Sequence, residues 1–191
     1  MDFDDAVKFH GHACPGLAIG YRVAKLALIE LGLRARDEEL VAIVENNSCA
    51  VDAIQLLCGC TFGKGNLIFK DYGKQVYTFV RRPNPDGLRI AVKWTPPPED
   101  PETEAMWKRY AAGDRSPQIV AAVQERKSRK LQSVLESDEA ELFAMKKIKV
   151  EMPEPARIYQ SVTCDSCGEK VMETRTRVAN GRVLCIPCTE K

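Results

Sequence analysis

The C-terminal tail leaves this chain the fewest choices. "CDSCGEKVMETRTRVANGRVLCIPC" sets Cys164, Cys167, Cys185 and Cys188 in the order C-x2-C, a seventeen-residue gap, C-x2-C. Two residues between cysteines make a tight turn that aims both sulfurs at one ion. Asn180-Gly181 is a preferred hairpin turn and brings the second pair back to the first. A module of about 30 residues is too small to build a sufficient core. Metal must therefore supply its folding energy, roughly 10–16 kcal/mol of apparent binding for such sites. Four thiolates with no open position describe structural zinc. The alternatives are two disulfides or four free thiols, and the compartment decides against them. The acidic start "MDFDDAVKFHGH" lacks the basic-then-apolar order of a signal peptide. The best apolar run, Leu17 to Leu33, is interrupted by Arg22, Lys25 and Glu30 and does not span a membrane. A cytoplasmic protein is expected, with reduced thiols and metal-binding cysteine clusters.

The remainder is long enough for one core domain plus this appendage: 191 residues, 45% of them apolar. A formal net charge of +1 predicts no strong attraction to nucleic acid or to an acidic membrane. Arg175, Arg177 and Arg182 make the tail hairpin mildly basic, which reads as a solvated strand face.

Pro15 suits the first turn of a helix, with Cys14 as its cap. Leu17, Tyr21, Ala24, Leu28 and Leu31 follow helical spacing, and Gly32 ends the run. "ELVAIVE" reads as a strand and "SCAVDAIQLLCG" as a second helix. "LIFK", "QVYTFVR" and "LRIAVKW" read as three further strands. The fold class is α+β, an α-β-α-β-β-β core with one mixed sheet covered by helices. "FGKGN" lacks the Walker pattern and reads as a turn. The prolines of "TPPPEDPE" mark a linker. Helices are expected over 102–112 and 117–136, and Asp138 with Glu141 resembles a capping box for another. Three parts result: a metal-binding core at 1–100, a helical connector at 101–154 and the finger at 155–191.

"FHGHACPG" holds both histidines of the chain, His10 and His12, within four residues of Cys14. If Phe9 to Cys14 is extended, all three point to one face. A cap position at the positive end of a helix favours a thiolate. Cys49 stands in a similar place at the start of the second helix, with Asp52 on the same helical face. If the two helix starts converge, His12, Cys14 and Cys49 form a second site for a transition metal, with zinc the first choice. Three ligands leave one position open. His10 is a ligand or a partner behind one, and Asp52 and Cys60 are further possible ligands. The plainer reading makes Cys49 a buried thiol and the histidines caps or core hydrogen-bond partners. A metal-free thiolate at Cys14 or Cys49, acting as nucleophile or redox switch, is the runner-up, and these two are the candidate catalytic residues. Cys58 and Cys60 read equally as core or as a site elsewhere. Cys60 lies on the order of 16 Å along the helix from Cys49, at ~1.5 Å per residue.

The tail resembles the DksA/TraR type of C4 zinc finger in its C-x2-C-G start and its gap. Over about residues 3–94, "FHGHACPGLAIGYRVAKLAL" followed by "ELVAIVENNSCAVDAIQLLCGCTFGKGNLIFKDYGKQVYTF" resembles the FmdE family of formylmethanofuran dehydrogenase proteins. The family pattern matches His10, His12, Cys14, Pro15, Gly16, Cys49, Asp52 and Cys60, and Cys58 is an addition. The resemblance implies an α+β core with a mixed sheet. It also implies association with the molybdenum or tungsten enzyme that reduces CO2 onto methanofuran, or with a formate-type dehydrogenase.

Two functions follow. One is a metal-binding subunit or accessory of such an oxidoreductase. The other is a non-enzymatic interaction or regulatory protein whose finger docks a partner. A homodimer is expected, because "LRIAVKW" and the 117–136 helix offer apolar surface that a small core leaves uncovered.

Overall fold

The computed structural model describes residues 1–190. They fall into two compact units, Met1–Pro155 and Ala156–Lys191. The first unit opens with a helix that the sequence reading left out, α1 (Phe3–His10). Asp2 and Asp5 cap it reciprocally, each side chain accepting the other's backbone N–H. Gly11, at φ 95°, ends it in the left-handed region, with its N–H on the Val7 carbonyl. The extended Phe9–Cys14 segment is thus replaced by a helix end, a glycine turn and a short coil. The acidic pair at Asp2 and Asp5 was the signal for it.

Helix α2 (Pro15–Leu31) begins as its sequence dictates, with Pro15 in the first turn and Cys14 as an extended N-cap. Strand β1 (Leu40–Val44) leads into α3 (Ala50–Cys58), and β2 (Leu67–Phe69), β3 (Val76–Arg81) and β4 (Asp86–Val92) follow. The sheet order is β2-β1-β3-β4 with a fifth strand beyond. Strands β1 and β2 are parallel across the α3 crossover, and the remaining pairs are antiparallel. Leu17, Val23, Leu40, Ile54, Tyr77, Phe79 and Ile90 are fully buried between the helices and the sheet. Helices α2 and α3 meet at Gly20, where a Cβ would come 2.1 Å from the Ala50 carbonyl oxygen. That contact draws their N-termini together.

Residues 101–154 add α4 (Pro101–Ala111), α5 (Pro117–Glu136), the single turn α6 (Glu139–Leu142) and the fifth strand, β5 (Phe143–Lys149). The helix expected from Asp138 and Glu141 stops after one turn, and Asp138 makes no side-chain cap. Buried Leu142 and Phe143 anchor the chain there, and "FAMKKIK" continues as an edge strand on β4. Its lysines suit an unpaired edge. The apolar surface on which a homodimer was expected is covered within the chain. Strand β5 flanks β4, and α5 lies against α2, where the Arg22 guanidinium donates to the carbonyls of Val134 and Leu135 at 3.1 and 2.8 Å.

In the second unit β6 (Ser161–Thr163) pairs with β7 (Lys170–Met172), and β8 (Thr176–Ala179) pairs with β9 (Arg182–Cys185) before the one-turn α7 (Ile186–Thr189). Asn180 and Gly181 both have positive φ and make the β8–β9 turn. Among the described residues no helix is long and apolar enough to cross a membrane.

Candidate metal centres

The tail brings its four sulfurs within 4.8 Å of one another. Cys167 Sγ and Cys185 Sγ are 3.9 Å apart. A tetrahedral zinc with Zn–S bonds of about 2.3 Å requires sulfurs about 3.8 Å apart, so the set fits the ion. Backbone N–H groups of Cys167, Cys185 and Ser166 point at Cys164 and hold its thiol down to about 6. The Glu169 N–H favours a thiolate at Cys167, but burial and the thiols of Cys164, Cys188 and Cys185 outweigh it and push Cys167 up to about 12. Without an ion the crowded sulfurs of Cys167 and Cys185 resist ionising beside their neighbours. A divalent cation removes that repulsion and lets all four ionise.

The second cluster is built by α1, α2 and α3. Helix α1 delivers His10 at its last turn, and the Gly11 turn brings His12 back beside it, with ring centroids 4.5 Å apart. The α2 cap supplies Cys14, whose Sγ accepts the Leu17 N–H at 3.3 Å and lies 3.9 Å from His10 Nε2. His10, His12 and Cys14 place their ligand atoms within 4.8 Å of one another. Asp52, in the first turn of α3, accepts from His10 Nδ1 at 2.7 Å. A carboxylate only accepts, so Nδ1 carries the proton and Nε2 turns its lone pair toward Cys14 and His12. This carboxylate–imidazole pairing is the usual support behind a histidine that binds a metal. His12 is exposed and His10 and Cys14 are half-buried, so an ion there is open to solvent on one side.

The remaining predicted positions fall in two places. Cys49 caps α3 beside Cys14, with both sulfurs 3.9 Å from the point a Gly16 Cβ would occupy, and it lies outside the three-residue cluster. Its helix-start position was expected to favour the thiolate. It makes no capping bond, and burial together with the neighbouring Cys14 thiol raises it instead. Cys60 stands beyond the other end of α3. It is fully buried, its thiol donates to the Leu40 carbonyl at 3.2 Å, and burial pushes it up to about 12. Cys58 is equally buried, donates to the Ala24 carbonyl and is also raised by burial. Both are core thiols, away from either cluster.

Sequence reasoning passed over the polar turn that sets Cys49. Buried Asn46 donates to the Lys74 carbonyl and accepts from the Ser48 N–H and hydroxyl at 3.1 and 2.7 Å. The buried Tyr77 hydroxyl closes the network on Gln75 at 2.8 Å. The polar run "ENNS" after an apolar strand was the available signal.

Fold and clusters together define a class: an α+β protein with an imidazole–thiol cluster at converging helix starts and a separate four-cysteine finger. Comparison with known proteins gives that class a family. Residues 9–144 match the family model described as "FmdE, Molybdenum formylmethanofuran dehydrogenase operon", and the chain belongs to the FmdE family. Residues 157–191 match the prokaryotic dksA/traR C4-type zinc finger. A curated relative from Archaeoglobus fulgidus, named "Probable S-adenosyl-L-methionine-binding protein", is 34% identical over 191 residues, covering 96% of this chain and 51% of the relative. The chain thus spans about half the length of that relative. The fold is shared with the crystal structure of an FmdE-like protein of the tungsten formylmethanofuran dehydrogenase type from Syntrophus aciditrophicus. That match has a TM-score of 0.59 and 22% identity, over 99% of this chain and 92% of the other.

Proposed function

We propose that this protein binds two metal ions in different roles: structural zinc on Cys164, Cys167, Cys185 and Cys188, and an exchangeable transition metal on His10, His12 and Cys14. The observation that carries the second role is the Asp52–His10 contact, which fixes the imidazole with Nε2 facing Cys14. A bound ion supplies Lewis-acid polarisation of a fourth ligand. The chain's residues do the rest. Asp52 holds the Nδ1 proton, Leu17 N–H steadies the Cys14 sulfur, and the exposed side of His12 leaves room for the ligand. We place this unit as an accessory or subunit of a molybdenum or tungsten formylmethanofuran- or formate-type dehydrogenase. Family membership supports that placement; the expected homodimer no longer has an uncovered apolar face behind it, and light scattering decides it.

Cobalt(II) reconstitution tests the site. Two absorption signatures are expected: an intense sulfur-to-cobalt band from the finger and a weaker one from the single-thiolate centre. Cys14→Ser should remove only the weaker band, and added imidazole should shift only its ligand-field bands. A Cys14→Ser spectrum identical to that of the unmodified chain overturns the assignment.

A further inference from the structure

Cys14 has two kinds of neighbour. Toward α1 it faces His10 Nε2 at 3.9 Å and His12. Toward α3 it faces a second thiol, that of Cys49 at the start of the neighbouring helix. Gly16 lies between the two, and the point where its Cβ would stand is 3.3 Å from Cys49 Cβ and 3.9 Å from each sulfur. Both cysteines cap helices whose backbones touch at Gly20 and Ala50, so the pair is held together by the rigid part of the fold. Cys49 makes no capping hydrogen bond that would occupy its sulfur. The other two cysteines of this unit are fully buried, with their thiols on backbone carbonyls. Cys14 is thus the one sulfur available to a metal on one side and to a disulfide on the other, and it cannot serve both.

We propose that Cys14 and Cys49 are a redox pair whose disulfide withdraws Cys14 from the histidines and releases the N-terminal metal. The proposal rests on the metal reading given above. The oxidant is a small disulfide of the glutathione class. The Cys14 thiolate attacks one of its sulfurs, breaks that S–S bond and expels one small thiolate, leaving a mixed disulfide. Cys49, its proton passed to water, attacks the Cys14 sulfur, forms the intramolecular S–S bond and expels the second thiolate. Two protein thiols lose two electrons, and one small disulfide becomes two thiols. The metal keeps its charge and leaves with water in place of sulfur. Reduction by a small thiol reverses the sequence and restores the ligand.

The test uses the full chain loaded with zinc, unmodified and as Cys49→Ser, treated with oxidised glutathione. Zinc release is followed with a chelating dye, and disulfides are located by tandem mass spectrometry of unreduced digests. The unmodified chain is expected to start with two equivalents and release one as the Cys14–Cys49 bond appears. Cys49→Ser keeps His10, His12 and Cys14, starts with the same two equivalents and releases the N-terminal one at least about tenfold more slowly. Equal release from both chains overturns the proposal, as does a Cys14–Cys49 bond formed with zinc retained. Two starting equivalents and no such bond overturn it alone. One starting equivalent overturns the metal reading beneath it and the proposal with it.

Discussion

Replacing Gly20 with alanine should loosen the whole first unit. The new Cβ would stand 2.1 Å from the Ala50 carbonyl oxygen, 2.5 Å from its Cα and 2.6 Å from its carbonyl carbon. Ordinary contact begins near 3.4 Å, a shortfall of about 1.3 Å against backbone that has no rotamer to change. Overpacking a core costs roughly 1–3 kcal/mol, and a backbone obstacle puts this site at the upper end. Alanine in a helix interior gains back about 1 kcal/mol over glycine. The expected net loss is about 2 kcal/mol, read as a lower urea midpoint at unchanged slope. The α2 and α3 starts should part as well, so metal affinity at the N-terminal cluster should fall with stability. Gly63→Ala is the control, since its Cβ would meet nothing within 4 Å. Its effect should stay within about 0.5 kcal/mol. A Gly20→Ala chain as stable as the unmodified one would refute the claim that this contact sets the helix pair.

Asp52→Asn should weaken metal binding at the N-terminal site by about 10–100-fold in chelator competition, with the finger and the urea midpoint unaffected. Asn66→Ala should cost about 2–4 kcal/mol in denaturant titration, because its buried amide donates to the carbonyls of Asp37, Leu40 and Gly59 and accepts from the Thr61 N–H. In the tail, the Cys164 thiol is lowered from 9.0 to about 6. The stabilisation this gives the folded tail is complete above the unfolded value and is lost as pH falls through about 6. Bound zinc competes with protons for the same sulfur, so zinc should stay in the finger at pH 7 and leave below pH 6, as a chelating dye can follow. Release already complete at pH 7 would contradict the hydrogen-bonded thiolate.

The finger was legible because cysteine spacing and an Asn-Gly turn are local signals that a metal makes binding on the fold. The α-β-α-β-β-β order was legible for a related reason: Leu17–Leu31 and the alternating strands carry their periods in sequence. Strand β5 was not. Its "FAMKKIK" is mostly exposed, and its place is set by pairing with β4, about fifty to sixty residues earlier. The N-terminal cluster was half legible. The sequence pointed to His12, Cys14 and Cys49, with His10 as a ligand or the partner behind one, whereas the structure groups His10 with His12 and Cys14. The bond from His10 to Asp52 spans 42 residues and depends on how α1 meets α3. The α2–α3 contact at Gly20 and Ala50 set Cys49 beside Cys14, outside the cluster. The placement of Cys60 followed from helix length: nine residues of α3 separate Cys49 from Gly59.

Metal stoichiometry in three full-length chains tests the central claim most directly: the unmodified protein, Cys14→Ser and Cys185→Ser, each refolded with zinc and dialysed. The account predicts two equivalents in the unmodified chain and one in each variant, with the tail protease-resistant in Cys14→Ser and cleaved in Cys185→Ser. One equivalent in the unmodified chain, unchanged by Cys14→Ser, would contradict it.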